Sequence, residues 1–160
     1  MVSQRSMKVV QMLPALERGG VERGVLELNR FLVAQGQQSI VMSRGGKLVS
    51  QIEADGGRHI AWDMGKKSPW TLRYVYRLRR FLREEGIDLL HLRSRVPAWV
   101  GYLAWRGMPF RVRPRLVTTV HGFYSVNRWS KVMTRGERVI AVSESVRKYV
   151  ETNYPAVDLN

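Results

Sequence analysis

The sequence predicts an α/β protein built on a Rossmann-like, doubly wound parallel sheet with helices on both faces. Short apolar segments alternate with amphipathic segments along the whole chain, as strands and helices do in such folds. The predicted strands are short and apolar, which is typical of a parallel sheet covered on both sides. The 160 residues, of which 44% are hydrophobic, suffice for one well-buried domain, so we predict a single domain over residues 1–160.

The first strand and the first helix meet at a pair of glycines. The strand is predicted at 9–13, and the helix after Gly19 and Gly20 carries apolar residues at helical spacing: Val21, Val25, Leu28 and Leu32. Glycine allows a ligand close to the backbone, and the free N–H groups of a helix's first turn carry roughly half a positive charge. This corner therefore favours a phosphate or another anion. Neither a Walker loop nor Gly-x-Gly-x-x-Gly is present, so a simple tight turn is the alternative.

Glycine and proline delimit the next elements. They comprise a strand at 38–42, a short helix at 48–54 that ends near Gly56-Gly57, and a strand at 59–62. Ser68-Pro69 is a typical helix start, and the helix that follows should end at Gly86. Its predicted apolar stripe has four members: Leu72, Val75, Leu78 and Leu82.

The second half of the chain continues the alternation. Strands are predicted at 88–92, 116–120 and 138–142, and helices at 97–107 and 143–153. Ser143 is a suitable N-cap for the last helix, with Glu144 in its first turn and Pro155 beyond its end.

Candidate binding residues follow the carboxyl ends of four predicted strands, where Rossmann-like sheets bind ligands. They are Gly19-Gly20 after the first strand, His91 to Arg95 after the fourth, His121-Gly122 after the fifth and Ser143-Glu144 after the sixth. We therefore expect these groups to converge on one ligand site. A histidine after a strand is also common in protein cores, and this alternative stays open for His91 in particular.

The composition excludes several kinds of site. The chain has no cysteine, which rules out disulfides, thiolate metal sites and cysteine nucleophiles. Its three histidines show no close ligand spacing, so we expect no metal and no other cofactor. No segment approaches the ~20 apolar residues of a membrane span, and the start lacks a secretory signal, so we expect an intracellular protein.

Positive charge dominates the chain. It has 27 Lys and Arg residues against 13 Asp and Glu, a formal charge of +14. Segment 66–83 contains seven basic residues and no acid, and segment 89–136 contains nine and no acid. Such a balance indicates an anionic partner: nucleic acid, a phosphorylated substrate or an anionic lipid surface.

Three motifs in this order and spacing resemble the N-terminal domain of GT-B glycosyltransferases of family 4: Gly19-Gly20-Val21-Glu22, Thr118-Thr119-Val120-His121-Gly122 and Arg138-Val139-Ile140-Ala141-Val142-Ser143-Glu144. The resemblance covers nearly the whole chain and implies one half of a GT-B fold. In that family the N-terminal domain mainly binds the acceptor, and a C-terminal domain holds the nucleotide sugar across a cleft. The C-terminal Glu-x7-Glu motif has no match here, so we expect that domain to be absent from this chain and the isolated chain to be inactive.

The resemblance implies donor-side roles for six residues. Gly19 and Gly20 would place backbone N–H groups against the donor diphosphate or an acceptor phosphate. His121 corresponds to a histidine beside the donor sugar and is the candidate catalytic residue, and Gly122 would let the backbone pass the sugar. Ser143 and Glu144 would also face the donor, although helix capping is the leading alternative for both.

The resemblance implies acceptor contacts for residues near the same strand ends and before the basic helix: Glu22, Lys66, Lys67, Arg93, Ser94 and Arg95. Arginine suits this role because it grips a phosphate or carboxylate with two parallel hydrogen bonds. Lys66 and Lys67 would hold phosphates of the acceptor, with a solvated charge cluster as the alternative. Phe123 and Tyr124 would wall the pocket or merely pack the loop.

The basic, aromatic-rich surface predicts attachment to an anionic membrane. Arginines in 70–83 and 99–115 would meet lipid headgroups, with aromatic side chains at the interface: Trp70, Trp99, Tyr102 and Trp105. This places the protein in the cytoplasm, peripheral on the cytoplasmic face of the inner membrane. The alternative is that the aromatics belong to the core and the arginines only solubilise the chain.

Taken with the resemblance, these residues predict transfer of a sugar from a nucleotide-sugar donor to a cell-envelope acceptor, a lipopolysaccharide or a lipid-linked glycan, with retention of configuration. Two alternatives come from other classes: a basic nucleic-acid-binding module, and a non-catalytic partner half of a transferase. Because the sequence contains no zinc-finger spacing, RNA-recognition sequence or clear helix-turn-helix, we expect no nucleic-acid partner.

Overall fold

A computed structural model describes residues 5–64, 68–157 and 159, and its centre is a six-stranded parallel sheet. The strands are β1 (Lys8–Met12), β2 (Gln38–Ser43), β3 (Arg58–Ala61), β4 (Leu89–Leu92), β5 (Arg115–Val120) and β6 (Arg138–Ala141). Their order is β3-β2-β1-β4-β5-β6. All strands are parallel, and the direction in which successive strands are added to the sheet changes between β1 and β4. This is the doubly wound order, so the predicted Rossmann-like α/β class is confirmed.

The described residues form five helices, of which the first four connect strands and the last follows β6: α1 (Gly20–Ala34), α2 (Val49–Ala54), α3 (Arg73–Glu84), α4 (Arg95–Arg106) and α5 (Glu144–Asn153). Short 3-10 turns lie at Pro69–Leu72, Phe110–Val112 and Ser130–Thr134. Helix α4 begins two residues before the predicted start at Pro97, since a proline is tolerated anywhere in the first turn, where its missing N–H would have no partner.

The two faces of the sheet differ in chemistry. Side chains alternate along each strand, so Val10, Leu90 and Leu116 point to the face covered by α3, α4 and α5, where most of the apolar core lies. Gln11 and His91 point to the α1 face and are buried there. The apolar cluster on this face is smaller and lies under α1 and α2: Leu13, Leu16, Val25, Val41 and Ile52. The sheet is thus apolar on one side and partly polar on the other.

The edge of the α1 face is less covered than its centre. Near the carboxyl end of β6, Ile140 is 46% exposed, and Val142, just after the strand, is 50% exposed. Helices α1 and α2 pack against β2 and β3, which lie at the lateral edge of the sheet away from β6. The carboxyl ends of β4, β5 and β6 are therefore accessible from this face.

The predicted apolar stripe after Ser68 is wrong at its first residue. Leu72 is 58% exposed, whereas Tyr74, Leu78 and Leu82 of α3 are buried. The segment Pro69–Leu72 is a 3-10 turn with three residues per turn, which moves Leu72 out of line with the stripe of the following α-helix. Ser68 caps this turn, as predicted, by accepting a hydrogen bond from the Trp70 N–H at 3.3 Å.

The prediction of an exposed aromatic surface on α4 is also wrong. Tyr102 is only 9% exposed, and Trp99 and Trp105 are half-buried against the core. Burial is favourable because both indole N–H groups donate to backbone carbonyls, that of Trp99 to Trp129 at 3.0 Å and that of Trp105 to Pro114 at 2.8 Å. Of the four predicted aromatics only Trp70, 76% exposed, lies on the surface.

Candidate ligand cleft at the strand ends

Two adjoining cavities lie where the carboxyl ends of β1, β4 and β5 meet the start of α1. The larger has a volume of about 690 Å³ and extends to Ile140 and Val142 at β6. The smaller, of about 360 Å³, extends to Phe123 and Tyr124 in the loop after β5. Val21, Arg93 and His121 line both, so the two cavities form one site, which we call the cleft. The predicted convergence at the strand ends is observed for β1, β4 and β5.

The first turn of α1 opens onto the cleft. Gly19 precedes the helix in an extended conformation, and no side chain among the described residues caps the helix by a hydrogen bond. A Cβ atom at Gly20 would meet nothing within 4 Å, whereas one at Gly19 would lie 2.5 Å from a carboxylate oxygen of Glu22. The Glu22 side chain therefore folds back over Gly19, and the backbone beside Gly20 stays accessible to a ligand. An α-helix N-terminus in this setting favours an anion.

Arg93, directly after β4, is a buried cation in the cleft. It is only 7% exposed, and within 5–64 and 68–157 no carboxylate forms an ion pair with it. Its buried Nε has no hydrogen-bond partner there. Burial lowers the pKa of Arg93 to about 10, so the side chain is still protonated at neutral pH. A buried, unpaired charge is costly, and an anionic ligand would remove that cost.

Gly24 makes room for this cation. It lies one turn into α1 and faces the guanidinium, because a Cβ atom at this position would be 3.0 Å from Nη1 of Arg93. Gly24 is not among the sequence-predicted site residues. Its spacing of four from Gly20, which puts both on one face of α1, is the signal that the sequence contains.

His121 lies between the two cavities, after β5. Burial, and next the charge of Arg93, lower the pKa of His121 to about 4, so its imidazole is neutral at physiological pH. The buried Nε2 has no hydrogen-bond partner in the described part of the chain. Its backbone N–H donates to the hydroxyl of Tyr124 at 3.3 Å. The imidazole is therefore available to hydrogen-bond a ligand that enters the cleft.

His91 forms part of the cleft wall and is a satisfied core histidine. It is 3% exposed, and its Nε2 is 2.6 Å from Oγ1 of Thr119 on the neighbouring strand. Burial lowers the pKa of His91 to about 3, and the charges of Arg93 and His121 contribute in the same direction. The structural alternative stated for His91 therefore fits its observed contacts.

The smaller cavity gathers several of the predicted acceptor contacts. Glu22, Ser94 and Arg95 line it, together with Gly122, at which a Cβ atom would meet nothing within 4 Å. The Arg95 guanidinium lies over the Tyr124 ring at 4.9 Å, and its Nη1 is 3.4 Å from the Ser130 hydroxyl. Phe123 is 68% exposed and packs edge to face on Tyr149.

Two of the remaining predicted site residues, Ser143 and Glu144, are not brought into the cleft. Ser143 and Glu144 line a separate cavity beside β6 and α5. The Ser143 hydroxyl accepts a hydrogen bond from the Val146 N–H at 3.3 Å, so it is engaged as the N-cap of α5, and Glu144 occupies the first turn. Lys66 and Lys67 lie outside the described residues.

The cleft and the sheet order agree with what the chain matches. Residues 18–158 match the sequence profile described as Glycosyltransferase Family 4. The chain is 30% identical to a glycosyltransferase from Rickettsia africae ESF-5, with a TM-score of 0.81 over 97% of this chain and 41% of that one. The protein therefore belongs to glycosyltransferase family 4, which confirms the resemblance of its motifs.

Two further crystal structures share the fold at lower identity. One is Anabaena Alr3699/HepE in complex with UDP and glucose, 16% identical with a TM-score of 0.71 over 92% of this chain and 41% of that one. The other is the lipopolysaccharide outer core galactosyltransferase WaaB in its apo form, 12% identical with a TM-score of 0.66 over 92% and 43%. The chain thus spans about two fifths of each of these structures. No curated protein sequence matches it.

None of the described helices combines the length and the apolar character that crossing a bilayer requires. Within the described ranges no three His, Asp or Glu side chains come together in a metal-binding arrangement.

Proposed function

We propose that this chain is the acceptor-binding half of a retaining glycosyltransferase, which transfers a sugar from a nucleotide-sugar donor to an anionic cell-envelope acceptor. The acceptor would be a lipopolysaccharide or a lipid-linked glycan that carries phosphate. The observation on which this proposal rests is Arg93, a buried cation with no ion-pair partner in the described part of the chain, which shares a cleft with the open first turn of α1. Membership of glycosyltransferase family 4 supplies the reaction type.

Each cleft residue has a role in this proposal. The N–H groups beside Gly20 and the guanidinium of Arg93 offset negative charge, either on an acceptor phosphate or on the leaving nucleoside diphosphate. Neutral His121 accepts or donates one hydrogen bond to a sugar hydroxyl and so orients the reacting centre. Because fixed positive charge meets the diphosphate directly, the proposed reaction requires no metal ion.

The donor site belongs to a second domain in this proposal. The chain covers 41% of the Rickettsia glycosyltransferase, and we propose that a C-terminal Rossmann-like domain with a Glu-x7-Glu motif completes the enzyme and binds the nucleotide sugar. The UDP and glucose named in the Anabaena structure support this class of donor, and the lipopolysaccharide named for WaaB supports this class of acceptor. Reading the coding sequence beyond Asn160 tests the two-domain arrangement, and a stop codon there would contradict it.

The membrane surface is the proposed location of the acceptor. Arg73, Arg77, Arg80 and Arg83 are exposed along α3, and Trp70 is exposed just before it. Clustered cations of this kind attract anionic headgroups, and a tryptophan suits the interface. We therefore propose a peripheral position on the cytoplasmic face of the inner membrane.

Binding of inorganic pyrophosphate to the full chain tests the cleft chemistry. Arg93→Met should lower the affinity about ten- to a hundredfold, the range expected for a lost charge-assisted hydrogen bond. Arg111→Met is the matched control, because Arg111 is exposed outside the cleft. This variant should bind pyrophosphate with the affinity of the parent chain. Equal affinities in both variants would contradict an anion site at Arg93.

A further inference from the structure

A third cavity, which we call the groove, lies next to the cleft on the other side of Arg95. Its volume is about 340 Å³, within the ~300–1,000 Å³ range of small-molecule pockets. The groove runs between the Pro69–Leu72 turn and α4, and most of its wall is apolar: Leu72, Val96, Trp99, Val100, Leu103 and Trp129. Neither the family match nor the roles given above use it.

The polar groups of the two tryptophans and of Ser68 already have partners. The Trp99 indole N–H donates to the Trp129 carbonyl at 3.0 Å, and the two rings pack with centroids 5.5 Å apart. The Ser68 hydroxyl accepts from the Trp70 N–H. An occupant of the groove therefore gains mainly from apolar contact, which favours hydrocarbon over a sugar.

The groove and the cleft share no lining residue, but they approach each other at the start of α4. Arg95 lines the cleft, and the next residue, Val96, lines the groove. The Arg95 guanidinium lies over Tyr124 on the cleft side and reaches the hydroxyl of Ser130, which follows Trp129 of the groove wall. A molecule that places a polar end in the cleft and an apolar end in the groove would therefore pass over the Arg95 side chain.

The charge around the groove selects among apolar occupants. Its walls come from segments 68–83 and 89–136, which contain no Asp or Glu. Two exposed arginines are next to wall residues in the chain: Arg73 follows Leu72, and Arg128 precedes Trp129. An apolar chain attached to a negative group therefore fits this surface better than a neutral one.

We propose that the groove binds the hydrocarbon chain of an anionic lipid acceptor while its phosphate lies in the cleft. The inference rests on the proposed function, since it names the lipid-linked alternative as the acceptor class. Each methylene that enters the groove should strengthen binding about fourfold. The acceptor is thereby recognised at both ends, by charge in the cleft and by apolar contact in the groove.

The test measures binding of three probes to the full chain: inorganic phosphate, farnesyl phosphate and farnesol, with the two farnesyl probes kept below the concentration at which they aggregate. Farnesyl phosphate should bind at least tenfold tighter than inorganic phosphate. Leu72→Asp should abolish most of that advantage, and it should leave phosphate affinity unchanged. Leu72 is 58% exposed, so the substitution does not disturb the core.

Val112→Asp is the matched control. Val112 is 50% exposed and lies in the same basic region, so this variant adds one carboxylate to that region without touching the groove. It should bind all three probes like the parent chain. If Val112→Asp weakens farnesyl phosphate as much as Leu72→Asp does, general charge repulsion explains the effect and the groove proposal fails.

Two other results would overturn the proposal. One is equal affinity for farnesyl phosphate and inorganic phosphate in the parent chain. The other is a preference for farnesyl phosphate that Leu72→Asp leaves intact. In both cases phosphate binding that still depends on Arg93 would keep the proposed function. The converse result is a parent chain that does not bind inorganic phosphate but binds farnesol with an affinity that Leu72→Asp lowers. It would contradict the cleft chemistry and retain the groove.

Discussion

At the scale of single residues, the cleft depends on the contact between Arg93 and Gly24. Gly24→Ala would place a Cβ atom 3.0 Å from Nη1 of Arg93, tighter than most contacts, so the guanidinium has to move. Alanine is also favoured over glycine inside a helix by about 1 kcal/mol. We therefore expect the variant to keep or gain stability while its pyrophosphate affinity falls severalfold, as measured by calorimetry and urea unfolding.

A double-mutant cycle separates this effect from a change in α1 itself. In an Arg93→Met background, Gly24→Ala should have no further effect on pyrophosphate affinity, since the crowded group is gone. Additive losses in the cycle would show that Gly24 acts independently of Arg93.

His91 predicts how stability depends on pH. The pKa of His91 is about 3 in the folded chain, below the ordinary histidine value of 6.5, so the unfolded state binds its proton first as the pH falls. Stability is therefore fully present above pH 6.5 and is lost as the pH falls toward 3, by about 1.4 kcal/mol per pH unit from this residue. Urea unfolding at pH 5 and pH 7 measures the slope.

His91→Gln should flatten that slope. Glutamine can still hydrogen-bond Thr119 but does not titrate, and every other ionisable group of the chain is unchanged. A slope equal to that of the parent chain would mean that His91 is protonated equally in both states.

At the scale of elements, α5 shows that a residue predicted to bind a ligand, Ser143, instead caps a helix. Ser143→Ala removes the hydrogen bond to the Val146 N–H and should cost about 1 kcal/mol in unfolding free energy. Ser143→Ala also removes the hydrogen bond between the Ser143 and Ser145 hydroxyls at 2.9 Å. Ser145→Ala is the control, because it removes only that second bond and leaves the bond from the Val146 N–H in place. Pyrophosphate affinity should be unchanged in both, and a loss confined to Ser143→Ala would restore a role in ligand binding.

The periodic elements could be predicted from the sequence because each is defined by its own residues. The strand at 88–92 and the helix ended by Gly86 need only local apolar spacing and a glycine, and both are observed. The exposure of Leu72 could not be predicted, since it depends on a 3-10 turn at Pro69–Leu72, which the apolar spacing does not distinguish from an α-helix. The burial of Tyr102 likewise involves a residue distant in the chain, since its hydroxyl accepts a hydrogen bond from Nη1 of Arg135 at 3.1 Å.

The cleft was predictable only in part. Residues directly after strands, such as Arg93 and His121, were found because the carboxyl ends of parallel strands share an edge. Gly24 and Thr119 were missed because their contacts with Arg93 and His91 depend on the position of α1 and on the register of β4 with β5. Ser143 also follows a strand, yet its hydroxyl is used by its own helix.

At the scale of the whole molecule, the charge of +14 predicts binding to anionic vesicles. Removing two exposed cations from α3 with Arg73→Gln and Arg83→Gln should weaken binding to phosphatidylserine-containing vesicles about fivefold per residue, from about 1 kcal/mol each. Sedimentation with vesicles at low and high salt measures it, and salt should weaken the parent chain most.

A variant with the same loss of charge elsewhere controls for the total. Arg44→Gln with Lys47→Gln removes two exposed cations from the loop after β2. If this variant loses as much vesicle binding as the α3 variant, attraction depends on total charge and no surface is oriented toward the membrane.

The unequal faces of the sheet have a consequence for local opening. The larger apolar cluster ties α3, α4 and α5 to the strands, whereas α1 is held by a small cluster and by polar contacts such as that of Gln11 with the Val25 carbonyl. Amide hydrogens of α1 should therefore exchange with solvent faster than those of α4, at a free energy below that of global unfolding. The wall of the cleft can then rearrange around a ligand while the opposite side of the sheet remains folded.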